Sequence, residues 1–318
     1  MRIILNILAT FTMVSALILS ASTTIDGTEI KIAAKEDVIS SIITVQSLEP
    51  LKKKFDELVM GQPEKVLVLF DLDDTVFDFP YMLGSKAWRN YIKKATKEID
   101  SSKNWHDILS LRLAQQYSLK TVEPDTAKFI NDLQAKGYIV CGLTSRERNK
   151  WYDTAQEGVD QLTTEQLESV SIDFSNESLQ SIYPYLAADP EYFKGTFFAD
   201  TDLKGDYLLK LFAHSPAHSD LPSIVFFIDD KLNQVESVAH VLTDKLEIEN
   251  VCVVYTATEG KAKTFNPLIA NIQLFEFISS NYESVLSDEQ AAEVAKANPE
   301  RNADYYLTYT LDLIRYIK

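Results

Sequence analysis

Five short apolar runs constrain the fold of this chain more than any other feature. They are residues 66–70 (Val-Leu-Val-Leu-Phe), 138–143, 195–199, 223–228 and 250–255. Each is of strand length and apolar without alternation, as a strand covered on both faces requires. Helix-periodic stretches separate them: residues 85–99, 104–117, 125–136, 203–212 and 232–246. Gly137 closes the third of these, where a helix end favours glycine. Strands alternating with helices predict an α/β protein with a parallel sheet of about five strands and helices on both faces. An amphipathic helix over 47–59 precedes the first strand. From Asn266 onward the pattern is helical, with Leu307, Leu311 and Ile314 on the last apolar face.

The N-terminus reads differently. Met1-Arg2, an apolar run over 3–19 and Ser20-Ala21-Ser22 have the layout of a secretory signal peptide over 1–22. The run is shorter than the ~20 residues a bilayer span needs. The expectation is an exported protein, periplasmic or secreted, with no stable membrane span after cleavage. Residues 23–64 are then expected as an N-terminal helical extension, and 65–260 as the α/β core with a helical insertion at about 77–122. Residues 261–318 form a C-terminal helical extension packed on that core. A second insertion, over 147–194, is longer than a crossover helix requires, and residues 171–174 are a candidate extra strand in it.

Composition removes several classes. The net charge of −16 argues against nucleic acid, whose binders show a basic face. None of the nine glycines is spaced as G-x-G, so neither a dinucleotide fingerprint nor a Walker loop is present. Cys141 and Cys252 both fall at inward strand positions and read as two separate buried thiols. Trp88, Tyr91, Trp105 and Tyr117 read as packing residues of the first insertion. His214 and His218 flank Pro216, which breaks any helix that would align them. Asn176-Glu-Ser178 fits a glycosylation acceptor.

The strand ends carry the chemistry. Directly after the first comes Asp71-Leu72-Asp73-Asp74-Thr75, with strand alternation pointing Asp71 and Asp73 the same way. In parallel α/β folds ligands bind at this rim. Paired carboxylates there repel one another unless a cation lies between them, and Mg2+ suits such a set. The second strand ends in Thr144-Ser145-Arg146, Lys204 follows the third, and Asp229-Asp230 ends the fourth, with Asn233 beyond.

Those four strand ends together resemble the motifs of the haloacid-dehalogenase-like (HAD) phosphohydrolase superfamily, over roughly residues 65–256. More loosely, exported leader, motifs and helical extensions look like secreted HAD-like proteins of Gram-negative bacteria. The resemblance implies a Rossmann-like core and Mg2+-dependent phosphoryl chemistry. Asp71 would be the nucleophile, Asp73 the general acid and base, Thr144 the hydroxyl on the transferring phosphoryl oxygens, and Lys204 the counter-charge. Asp71, Asp73 (through its backbone carbonyl) and Asp229 would hold the metal, with Asp230 and Asn233 supporting them. Ser145 and Arg146 would meet the substrate, a small phosphorylated molecule or a phosphoprotein. Two alternatives stay open: a secreted interaction protein on the same frame, and a phosphotransferase using the same aspartyl phosphate.

Overall fold

A computed structural model describes residues 19–25, 28–35, 38–59, 62–99, 105–148, 158–175, 177–200 and 203–316. Its strands are β1 (Leu19–Ile25), β2 (Thr28–Lys35), β3 (Val38–Val45), β4 (Val66–Phe70), β5 (Phe77–Asp78), β6 (Lys120–Thr121), β7 (Ile139–Thr144), β8 (Tyr192–Phe193), β9 (Thr196–Phe198), β10 (Ile224–Asp229) and β11 (Glu249–Tyr255). A seven-stranded sheet runs β3-β11-β10-β4-β7-β9-β8, parallel except for β8. The antiparallel strands β2 and β1 continue it beyond β3. The protein is therefore α/β as expected, with all five apolar runs in the sheet.

The chain divides into two compact units, residues 1–76 with 121–257 and residues 77–120 with 258–318. In the first, β4, β7 and β10 are buried along their whole length. One face of the sheet is covered by the helices Lys204–Phe212 and Glu177–Ile182 and by Leu232–Asp244, through Leu208, Leu179, Val235 and Val238. The other face carries an aromatic cluster in which Phe55, from the helix Glu49–Leu58, meets Phe129, Tyr138 and Phe226. Phe129 belongs to the helix Thr126–Ala135, which Gly137 ends at a φ of +89°.

The two cysteines lie in one row across this sheet. Cys141 pairs with Leu69, Leu69 with Phe227 and Phe227 with Cys252. Three strand spacings separate them, about 14 Å, far beyond disulfide reach. Both are free and buried, and burial pushes the Cys141 thiol up to about 12.

The segment ahead of the first apolar run differs from expectation. It contains the expected helix, Glu49–Leu58, but residues 38–45 are strand β3 and not part of a helical extension. The β-branched sequence Val-Ile-Ser-Ser-Ile-Ile-Thr-Val explains the difference. Its serines hide the run in the sequence, yet Ser40 is buried because its Oγ donates to Asn250 Oδ1 at 2.8 Å on β11. Residues 171–174 are not a strand either. Ser171 has a φ of +62°, and Ile172 and Phe174 are buried from irregular backbone. The insertion's strand is β8, antiparallel to β9. Residues 1–18 of the expected leader and Asn176 lie outside the described residues, and residues 19–22 fall in β1.

The second unit joins the first insertion to the C-terminal helices. The helix Pro267–Ser279 packs on Ala303–Tyr316, Asp288–Ala297 and Lys86–Ile99. Gln273, fully buried, accepts from the Leu83 N–H and donates to Leu286 O and Asp288 Oδ1. Trp88 and Trp105 are buried, Tyr91 lies against Phe265 and Tyr117 against Phe277, so these aromatics pack the unit. The C-terminal stretch, expected as an extension on the catalytic core, thus shares a compact unit with the insertion. Among the described residues, no helix is long and apolar enough to cross a membrane.

Candidate functional site

Leaving aside the outer parallel strand β3, the strands β4, β7, β9, β10 and β11 follow one another in the chain, and across the sheet these five run fifth-fourth-first-second-third. The order reverses between β4 and β10, and open α/β sheets bind ligands at such a switch point, outside the carboxyl ends of the strands. Phe70 pairs with Ile228 there, and the Asp71 N–H donates to Ile228 O at 2.9 Å. Asp71 therefore directly follows one buried strand, and Asp229 ends the adjacent one.

Lys204, the first residue of its helix, reaches both. Its Nζ donates to Asp71 Oδ1 and, at 2.6 Å, to Asp229 Oδ2. Thr75 Oγ1 donates to Asp71 Oδ2 at 2.9 Å, and the Lys231 N–H donates to Asp229 Oδ1 at 2.8 Å. Lys204 and Asp229 are each 1% exposed, Asp71 6% and Asp230 8%, so water screens none of them well. Carboxylate oxygens of Asp71, Asp229 and Asp230 lie within 4.8 Å of one another, and this group could hold a metal ion. The donor set is all oxygen, which fits a hard divalent cation. Without one, three carboxylates are set against the Lys204 ammonium, with Lys231 a further positive charge beside them. Burial, and then the charge of Asp229, push Asp71 up to about 8 despite the opposing pull of Lys204. Burial lowers Lys204, but Asp229 and Asp71 outweigh it and its net shift is upward.

This imbalance has a measurable consequence. The Asp71 carboxyl has a higher pKa in the fold, about 8, than in the unfolded chain, ~3.9. Its contribution to stability is full below the lower value and is lost as pH rises through the interval. A bound cation displaces the proton and supplies the missing charge. A divalent cation held by this group is therefore expected to raise the Tm over that in EDTA, and to do so more at pH 8 than at pH 5.5. Calorimetry at the two pH values measures it, and equal increases would contradict the assignment.

Close helix packing sets where Lys204 sits. A Cβ added at Gly205 would lie 2.3 Å from Ser237 O on the helix Leu232–Asp244, which only glycine avoids. The Lys204 N–H is also held, donating to Gln234 Oε1 at 2.8 Å. Gly205→Ala is expected to cost about 1–3 kcal/mol in denaturant unfolding, by forcing apart the helices that set where Lys204 sits.

Asp73 is outside the acidic trio. Its carboxylate is gripped on both oxygens by Arg146, from Nε to Oδ2 at 2.9 Å and from Nη2 to Oδ1 at 2.8 Å. Strand alternation stops at Phe70, and Asp74 turns the chain at a φ of +68°, so Asp71 and Asp73 take different partners. Thr144 is buried at the end of β7, where its Oγ1 accepts from the Arg146 N–H at 3.2 Å. Ser145 is half-buried beside it. Asn233 is exposed on the first turn of its helix, and its neighbour Gln234 is the buried residue that meets Lys204. Thr75 and Gln234 were not expected from sequence, nor were Thr163 and Gln166, which meet Arg146.

Residues 44–292 match a family model described as "Protein of unknown function (DUF2608)". The chain belongs to the DUF2608 family. The DUF2608 match begins in β3 and ends in the helix Asp288–Ala297, and it contains every residue of the acidic pocket. No curated protein and no solved structure matches this DUF2608 chain.

Proposed function

We propose that this DUF2608 protein is an exported, Mg2+-dependent phosphatase of HAD-like design that hydrolyses a phosphate monoester through an aspartyl phosphate. One observation carries the reading: Lys204 bridges Asp71 and Asp229 in a buried cluster, with Asp230 alongside, at the switch point of a parallel sheet. A core built only for stability gains little by burying three acids and a lysine. Shifted titration in a rim pocket of this kind marks functional sites.

In this reading an Asp71 carboxylate oxygen attacks phosphorus as the bond to the leaving alcohol oxygen breaks. Asp73 gives that oxygen a proton and later takes one from the water that cleaves the aspartyl phosphate. Two displacements replace one difficult hydrolysis. Lys204 orients Asp71 and offsets charge on the transferring group, and the Thr144 hydroxyl is at hand for its oxygens. Mg2+ held by Asp71, Asp229 and Asp230 would supply the positive charge that lets an anionic substrate approach an anionic nucleophile.

The test is release of inorganic phosphate from p-nitrophenyl phosphate and from a panel of alkyl and sugar phosphates, with Mg2+ and with EDTA. Mg2+-dependent turnover is expected for at least one ester. A folded protein that binds Mg2+ by calorimetry and turns over none would overturn the reading in favour of a binding role. Phosphate appearing on an added alcohol would make the enzyme a phosphotransferase.

A further inference from the structure

The helix Val159–Ser169 lies in the second insertion, whose purpose the sequence does not disclose. Its buried residues are Thr163, Gln166 and Leu167, so two of the three side chains it turns inward are polar. Burying such groups is costly unless they are hydrogen-bonded. Both accept from one guanidinium nitrogen: Arg146 Nη1 donates to Thr163 Oγ1 at 2.8 Å and to Gln166 Oε1 at 2.7 Å. Thr163 and Gln166 are three residues apart and so share a helix face. The Thr163 hydroxyl proton goes to Val159 O at 2.6 Å, which leaves its oxygen free to accept from the guanidinium.

The opposite edge of that guanidinium holds both oxygens of Asp73. The Asp73 side chain is 36% exposed, and a pair that exposed holds its own geometry poorly. A guanidinium anchored on its far side is a rigid fork, which presents two donors in a fixed plane. The Arg146 N–H also meets Thr144 Oγ1, so the same residue touches two side chains to which the phosphatase reading gives chemistry.

We infer that Thr163 and Gln166 are positioning residues: they fix the Arg146 guanidinium, which fixes the carboxylate of Asp73. The second insertion then serves the reaction by aiming a side chain that it does not itself carry. This rests on the phosphatase reading for its catalytic meaning, while the clamp itself can be observed without turnover.

The experiment combines Thr163→Val with Gln166→Met, close in size and lacking the acceptors, and sets them against Thr163→Ser and Gln166→Glu, which keep them. The first readout is the NMR signal of the Arg146 side-chain N–H groups, assigned by their loss in Arg146→Lys. Wild type and the acceptor-keeping variants should show slowly rotating, resolved Nη signals that average in the acceptor-lacking pair. The second is steady-state turnover of p-nitrophenyl phosphate with Mg2+, where kcat should fall about tenfold in that pair at nearly constant KM. Averaged signals with kcat unchanged would overturn the positioning role, as would resolved signals in the acceptor-lacking pair. A wild type with resolved signals and no turnover of any ester would instead overturn the phosphatase reading and leave the clamp in place. If the double variant fails to fold, the single variants carry the same comparison.

Discussion

Asp71→Asn is expected to abolish Mg2+-dependent hydrolysis, by on the order of 10^4-fold or more, without unfolding the protein. Asparagine preserves the shape but is no longer a nucleophile. It also removes one of three carboxylates crowded together beside Lys204 and Lys231. Because burial and Asp229 raise the Asp71 carboxyl, its ionised form strains the fold at neutral pH. The metal-free variant should therefore melt no lower than wild type at pH 8, and Mg2+ should stabilise it less. Phosphate release and calorimetry on one preparation test both halves. Retained turnover would remove Asp71 from the chemistry, and a lower Tm would contradict the electrostatic account.

Lys204→Met carries the second large effect, and here stability and activity fall together. The side chain is 1% exposed, and its Nζ is hydrogen-bonded to two carboxylates. Methionine fills the same volume but leaves Asp71 and Asp229 facing each other without the ammonium. Removing one partner from a buried ionic group costs about 3–5 kcal/mol, which lowers the Tm of a chain this size by roughly 10 °C. Lowering the pH should recover part of that loss, since protonating the carboxylates removes the uncompensated charge. Mg2+ should recover part of it at pH 8. A variant as stable as wild type in EDTA would mean that Lys204 does not hold the pocket together.

Much of the core could be read from sequence because fully buried parallel strands leave an unbroken apolar run, as in residues 66–70 and 223–228. Asp71, Lys204 and Asp229 follow from standing at the ends of such strands or at the next helix start. β3 was not legible, since an outer strand carries serines that only their partners on β11 make sense of. Asp73 meets Arg146 whereas Asp71 meets Lys204 and Thr75, a division that period two does not foretell, because β4 stops at Phe70. Gln234 offered a usable sign: it lies four residues before Val238 on the apolar stripe of its helix, whereas Asn233 does not. Thr163 and Gln166 offered none, because their partner is a guanidinium far away in sequence.

The interleaving of the two units has a consequence for how the protein is made. Every residue of the acidic pocket is synthesised by the end of residues 121–257, so the sheet that carries it can close early. Residues 77–120 emerge before most of that sheet, yet the helices that complete their unit, Pro267–Ser279 and Ala303–Tyr316, emerge last. The interval is on the order of ten seconds at ordinary elongation rates, and throughout it the helix Lys86–Ile99 lacks the helix Pro267–Ser279 against which it packs. A chain ended at residue 257 would keep Asp71, Lys204, Asp229 and Asp230 but lack the later helices that share a compact unit with residues 77–120. Such a fragment is expected to aggregate more readily than the full chain, because the partners of that insertion are supplied only by residues 258–318.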